Sequence, residues 1–259
     1  MSLLEVDKVT LTFKGIAALL NVSFSVAEGS ISSLIGPNGA GKTSMLNCIS
    51  GRYKPDRGEI RLKGSSLMGL KPHQRASRGL SRTFQNIALF RGLSVLDNLM
   101  VGRHGILGYG LLPSLLYFGK ARRKEDEHRR RVEDVIDFLG LSPYRHKPAG
   151  RLPYGVQKRV ELGRALAADP ELILLDEPMA GMNLEETEDM ARYILDINEE
   201  WGATVLLVEH DMGVVMDISD HVVVLDFGQV LAEGTPERVS KNPDVIAAYL
   251  GGEALQAME

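Results

Sequence analysis

The segment Gly36-Pro-Asn-Gly-Ala-Gly-Lys-Thr43 constrains this chain more than any other, because it fills every position of the pattern G-x-x-x-x-G-K-[ST]. The pattern has mechanical content. Glycines let the backbone wrap an anionic tail, and backbone N–H groups and the positive end of the next helix stabilise it. Lys42 then reaches the terminal phosphates and Thr43 offers its hydroxyl to magnesium. Such a loop needs a strand before it and a helix after it. Ile31-Ser-Ser-Leu34-Ile35 is an apolar run of strand type, and Lys42 to Ile49 reads as a helix. The expected ligand is a nucleoside triphosphate.

The rest of the chain can be arranged around that unit. Val9–Phe13 and Val22–Val26 read as further strands, and the turn signal Pro55-Asp-Arg-Gly58 leads into Glu59-Ile-Arg-Leu-Lys63, whose strict alternation predicts an antiparallel strand with one wet face. From Ser94 to Gly140 the pattern is helical. Ser94-Val-Leu-Asp97 is an N-terminal capping pattern, and Val132, Val135, Ile136 and Leu139 recur at helical spacing. After Leu152, apolar strands at Leu172–Leu175, Thr204–Val208 and Val222–Leu225 alternate with helical segments, which predicts a parallel sheet covered by helices. The expected architecture is an α/β nucleotide-binding core with a helical insertion.

Composition narrows the function classes. With 259 residues, 44% apolar and 25% charged, the chain is long enough for a sizeable core and reads as an ordinary soluble protein. Its net charge of -4 gives no global attraction to nucleic acid or anionic membranes. The single Cys48 excludes an internal disulfide and is expected as a small buried apolar residue. No signal peptide is expected, since no charged segment followed by an apolar one opens the chain. The longest apolar stretch, Ile106–Phe118, is broken by Gly108, Gly110 and Pro113 and falls short of the ~20 residues of a spanning helix; it is expected to pack within the helical insertion. Lys120–Arg131 carries dense charge of both signs and reads as a solvated helix face, and His73, His104, His128, His146 and His221 show no metal-ligand spacing.

Leu172-Ile-Leu-Leu-Asp-Glu177-Pro178 puts two carboxylates at the carboxyl end of a strand, where ligands of open α/β sheets bind. Two acids can simply end a strand. In a chain that also has a phosphate loop, Asp176 reads as the holder of magnesium and its water shell. Glu177 reads as the group that orients or deprotonates the water attacking the γ-phosphate.

Between the loop and these carboxylates, Leu152-Pro-Tyr-Gly-Val-Gln-Lys-Arg-Val-Glu-Leu-Gly-Arg-Ala-Leu166 resembles the signature segment of ATP-binding cassette ATPases. Gln85, in Arg82-Thr-Phe-Gln85, resembles that family's Q-loop glutamine, and His210, in Val208-Glu-His-Asp211, its switch histidine. Phe13 occupies the place of the aromatic that stacks on adenine, although a strand Phe taken alone reads as core. More narrowly, Tyr154, Ala180-Gly-Met-Asn183, Glu209-His-Asp-Met212, Gly234-Thr-Pro-Glu237 and Asn242–Gly251 resemble the ATPase subunits of branched-chain amino acid importers.

The resemblance implies a single ATPase domain over 1–259, with a P-loop NTPase core (RecA-like parallel sheet) and an N-terminal antiparallel β subdomain in 1–85 and 165–259, and a helical subdomain in 86–164. It implies ATP contacts from Phe13, Gly36, Asn38, Gly39, Ala40, Gly41, Lys42, Thr43, Ser44, Gln85 and Asp176, and Mg2+ held by Thr43, Gln85 and Asp176. Glu177, His210, Gln85 and Lys42 are the implied catalytic set. Pro153, Tyr154, Gly155, Val156 and Gln157 would serve the partner's site in trans in a head-to-tail dimer. The implied partners are an identical or paralogous ATPase, transmembrane permeases and, indirectly, a solute-binding protein, at the cytoplasmic face of the inner (plasma) membrane; no nucleic acid is implied. Importers of urea, amides or aromatic acids, or a soluble ATPase of the same family, are the alternatives. No Asn-Lys-x-Asp sequence occurs to read guanine. Two positions depart from the general family: Pro153 stands where a serine hydroxyl is usual, and Asn183 where an aspartate is. A helix N-terminus after Pro153 keeps its backbone N–H groups for phosphate.

Overall fold

The first two strands, β1 (Ser2–Phe13) and β2 (Ile16–Ala27), form an antiparallel pair in which Leu4 faces Val26 and Val9 faces Val22. They belong to a computed structural model that describes residues 1–107 and 120–256. Most of the apolar stretch Ile106–Phe118, and with it the packing expected there, lies outside the described residues, as does the side chain of His104. β4 (Arg57–Leu62) pairs with β1 on its other edge, Val6 opposite Ile60, and continues to the short β5 (Ser65–Ser66). Alternation decides the faces on either side of an irregularity between Val6 and Val9, where Lys8 sits at φ 49°: Leu4, Val6, Val9, Leu11, Ile60 and Leu62 are buried.

The second sheet has six strands. β3 (Ile31–Ile35), β6 (Leu80–Arg82), β7 (Leu172–Asp176), β8 (Thr204–Val208) and β9 (His221–Asp226) run parallel, and β10 (Gln229–Gly234) closes one edge antiparallel to β9, in the order β10-β9-β3-β8-β7-β6. β3, β7 and β8 are buried at every position, which is why each reads in sequence as an unbroken run. The two-residue period then sorts side chains between two cores. Leu172, Leu174, Leu206 and Val208 join the core shared with the first sheet and with α1 (Lys42–Ile49), whereas Ile173, Leu175, Val205 and Leu207 join the core under the helical layer.

That layer contains α3 (Val95–Leu107), α4 (Lys120–Phe138), α5 (Tyr154–Leu166) and α6 (Leu184–Glu199). Val132, Val135, Ile136 and Leu139 are fully buried in it, as their spacing requires, and the Ser94 hydroxyl accepts the Asp97 N–H at 3.1 Å. The junction 164/165 drawn from sequence falls inside α5, two residues before its end. α2 (Pro72–Ala76), α7 (Met212–Ile218), α8 (Pro236–Val239) and α9 (Pro243–Gln256) complete the chain. Glu125, Asp126, Glu127, Arg129 and Arg130 of α4 are exposed, the solvated face expected of that charge run.

Candidate functional site

Gly36 and Gly41 place the phosphate loop. A Cβ on Gly36 would lie 2.0 Å from the Leu225 carbonyl oxygen of β9, and Gly41, at φ 105°, caps α1 in the left-handed region with no room for a side chain beside the Ala18 oxygen. Asn38 and Gly39 are exposed between them and Ala40 is buried. Thr43 is exposed and Ser44 half-buried on the first turn of α1, where N–H groups are free of intrahelical partners. Lys42 Nζ donates to the carbonyls of Gly36 (2.6 Å) and Pro37 (3.0 Å) of its own loop. Burial lowers its pKa, and the charges of Glu177 and Asp176 act in the opposite sense.

Asp176 ends β7. Its Oδ2 accepts from Arg82 at 2.8 Å, a pair whose side chains are 7% and 2% exposed, and Arg82 also donates to Asn47 Oδ1 and Ser50 Oγ of the α1 region. Its Oδ1 is buried and has no hydrogen-bond partner among the described residues. An orphaned carboxylate oxygen at the end of a strand, beside a phosphate loop, has the chemistry of a divalent-cation ligand. Glu177 follows with φ 48°, an uncommon conformation for a side chain larger than glycine, and its Oε2 accepts from Gln85 Nε2 at 2.9 Å.

His210 follows β8, its side chain 63% exposed, with Nδ1 3.7 Å from Glu209 Oε2. No hydrogen bond joins it to Glu177 among the described residues. Glu209 is buried and accepts the N–H groups of Met179 (2.9 Å) and His210 (3.2 Å), and burial pushes its carboxyl pKa up. Phe13 is not core: it ends β1 at 43% exposure, its ring edge-on to Tyr53 at 5.2 Å, on the hairpin that runs to Ala18 beside Gly41. The structure thus brings Lys42, Gln85, Asp176 and Glu177, all singled out from sequence, to one mouth. The sequence reading misses Arg82, Glu209, Lys158 and Glu161, charged residues buried there by partners far away in sequence.

The signature segment opens α5. Pro153 is its N-cap, with φ -52° and ψ 153° and no side-chain bond, while Gln157 donates through Nε2 to the Leu152 oxygen at 2.8 Å. Val156 is buried, Tyr154 donates its hydroxyl to the Ala180 oxygen at 3.0 Å, and a Cβ on Gly155 would meet Glu186 Oε1. Asn183 caps α6, accepting the Glu186 N–H at 2.9 Å, and Glu186 Oε2 accepts the Asn183 N–H in return. The amide thus does the structural task that an aspartate could also do. Between this layer and the core, a cleft of about 430 Å³ is lined by Ser50, Arg82, Phe84, Val101 and Arg164.

Comparison with known proteins agrees with this geometry. Residues 19–180 match the family described as ABC transporter, and residues 229–254 the family described as branched-chain amino acid ATP-binding cassette transporter. The high-affinity branched-chain amino acid transport ATP-binding protein BraF of Pseudomonas aeruginosa is 43% identical over 96% of this chain and 98% of its own. The corresponding protein LivG of Salmonella typhimurium is 44% identical over the same shares. Among solved structures, the ADP conformation of an ATP-binding cassette of an ABC transporter superimposes with TM-score 0.84 at 33% identity, covering 97% of this chain and 99% of that one. A dimeric cassette in a post-hydrolysis state bound to ADP and Pi gives TM-score 0.75 at 28% identity, over 90% and 98%. With a phosphate loop, an orphaned carboxylate oxygen and a signature helix on one α/β frame, and kinship over nearly its whole length, the chain belongs to the ATP-binding cassette family of transporter ATPases.

Proposed function

We propose that this chain is the ATP-hydrolysing subunit of an importer for branched-chain or related amino acids. It works as a head-to-tail dimer with an identical or paralogous ATPase, beneath transmembrane permeases that a solute-binding protein serves, at the cytoplasmic face of the inner (plasma) membrane. The observation that carries the chemistry is the pairing at the end of β7: Asp176 with one buried oxygen unpartnered, and Glu177 hydrogen-bonded to Gln85. The solute class follows the names of the relatives and of the family matched at 229–254.

Phe13 stacks on the adenine, and the backbone of Gly36–Ser44 with Lys42 cradles the phosphates. Asp176 Oδ1, the Thr43 hydroxyl and the Gln85 side chain would hold Mg2+, which would supply positive charge to the anionic triphosphate. Glu177 accepts a proton from the water whose oxygen forms the new bond to the γ-phosphorus as the bond to the bridging oxygen breaks, yielding ADP and phosphate. His210, exposed at the mouth, bonds the γ-phosphate. Pro153–Gln157 present the α5 N-terminus to the partner's phosphates. The cleft between Ser50, Arg82 and Arg164 offers the permeases a surface beside the loop that carries Gln85.

Co-expression with permeases and a binding protein, purification of the complex, and ATPase assays with leucine, isoleucine and valine test this reading. The chain should remain with the permeases, and the loaded binding protein should stimulate hydrolysis. Turnover indifferent to any of the three solutes would remove the solute assignment, and a chain that never accompanies the permeases would remove the transport role.

A further inference from the structure

Behind Glu177 lies a charged cluster that the chemistry above does not use. Lys158 and Glu161, one turn apart on α5, and Glu209 after β8 are at most 2% exposed. Burying charge is expensive unless each group finds partners, so where their hydrogen bonds go is informative. Lys158 Nζ donates to the backbone oxygen of Gln85 at 3.1 Å and to that of Glu177 at 3.3 Å. Glu161 Oε1 accepts the Ala88 N–H at 3.2 Å, while Glu209 accepts from Met179 and His210. Every one of these bonds goes to the main chain of a loop that carries Gln85, Glu177 or His210.

Lys158 is the member that joins two of those loops. Among the described residues it forms no ion pair, although Glu161, Glu209, Glu177 and Asp176 all favour its charge through space while burial lowers its pKa. Its donors are aimed at carbonyls. One of them belongs to Glu177, whose backbone sits at φ 48°. A non-glycine residue persists in that region only where its surroundings over-determine it. Here the Glu177 N–H is bonded to the Val208 oxygen at 2.9 Å, and its own oxygen receives Ala180 N at 3.2 Å as well as the Lys158 ammonium. At the other end, the Tyr154 ring lies 5.9 Å from Nζ, and Tyr154 is an exposed residue of the signature.

We propose that Lys158 is a positioning residue: it holds the main chain of Gln85 and Glu177 in register for hydrolysis and, being on α5, makes that register depend on what the α5 N-terminus engages. The proposal rests on the reading of Glu177 and Gln85 as the hydrolytic pair. A partner's phosphate drawn to the start of α5 then alters the hydrolytic groups of this chain through one side chain and two carbonyls. Lys158 itself touches no nucleotide.

The test separates this role from that of a mere counter-charge to Glu161. Lys158→Met removes one of the two cations beside buried Glu161 and leaves only Arg164, 3.9 Å away, so Lys158→Met/Glu161→Gln, which is balanced in charge and keeps an acceptor for Ala88, is the informative variant. In the full-length chain assembled with its ATPase partner and permeases, we expect kcat to fall roughly ten- to hundredfold, as for a small misplacement of reacting groups. KM for ATP should move by less than about twofold, because the phosphate loop is untouched. Lys158→Arg, which keeps charge and donors, should recover much of the loss. Wild-type kcat in the double variant overturns the proposal, and so does failure of that variant to fold, which would assign Lys158 a structural role. Glu177→Gln run in parallel distinguishes the two readings. If it turns over normally, the hydrolytic assignment falls; if it is inactive while the double variant is not, only the role of Lys158 falls.

Discussion

The mouth at the end of β7 and the start of α5 are both polar regions of one chain, and they are built by opposite rules. At the mouth, charged side chains are anchored: Arg82 holds one oxygen of Asp176, Gln85 holds Glu177, and Lys42 is folded onto its own loop. One acceptor, Asp176 Oδ1, is left without a partner among the described residues. At the start of α5 Pro153 supplies no hydroxyl, and what is offered is main-chain N–H and a helix dipole. In the proposed function the first region supplies the groups that bind a triphosphate and activate water. The second has only the means to receive an anion. The difference teaches that neither is a whole site, which is what a head-to-tail dimer would exploit.

The largest effect that should separate the regions comes from Glu177→Gln. It removes the proton acceptor and keeps the shape, so turnover should fall about 10²-fold or more while ATP remains bound. Steady-state ATPase assays and light scattering with ATP would show the loss and an accumulated dimer; near-normal turnover would erase the contrast. Lys42→Ala comes next. Losing a charge-assisted bond of about 1.5–3 kcal/mol should weaken ATP binding by roughly ten- to a hundredfold, read by calorimetry on the isolated chain. Unchanged affinity would mean that the loop binds through its backbone alone.

Pro153→Ser should be smaller. A hydroxyl there can cap α5 and reach a partner's phosphate, so hydrolysis in the assembled dimer should change by at most the ~1.5–3 kcal/mol of one charge-assisted bond. ATP affinity of the isolated chain should not move. Cys48 marks the null end of the scale. Burial on the inner face of α1 pushes its thiol up to about 12, so at neutral pH it should resist thiol reagents in the folded protein and react once denaturant is added. Ready labelling of the native chain would mean that the core beside the loop opens.

What could be read from sequence follows from how local each signal is. The loop and α1 were legible because a contiguous pattern fixes them, and β7 and β8 because strands buried on both faces leave unbroken apolar runs. β6 was not, because three residues become a strand only by pairing with β7, and its Arg82 finds Asp176 at 94 positions' distance. β10 was missed as well: Phe227 and Gly228 turn the chain at positive φ, and the strand after them is only partly buried. Phe13 taken alone reads as core, and its 43% exposure at the end of β1 departs from that reading. Asn183 stood out as a departure, yet its reciprocal cap with Glu186 is the ordinary behaviour of Asn before a helix. The buried Lys158 and Glu161 look in sequence like any charged pair on a helix, and only packing against the loops of Gln85 and Glu177 distinguishes them.

The central claim is that the start of α5 acts on the partner's nucleotide and not on this chain's own. Gly155→Asp tests it most directly, because it places a carboxylate where the proposed phosphate would dock; any Cβ there meets Glu186 Oε1 at 2.2 Å and must displace it from its cap on α6, so Gly155→Ala run beside it separates crowding from charge. ATP titration of the isolated monomeric chain should give an affinity within about twofold of the unaltered protein. ATPase rates of the assembled dimer should fall by about tenfold or more, as expected when like charge opposes a buried phosphate. A monomer that loses ATP affinity to the same extent would place the signature beside its own phosphate loop and contradict the account.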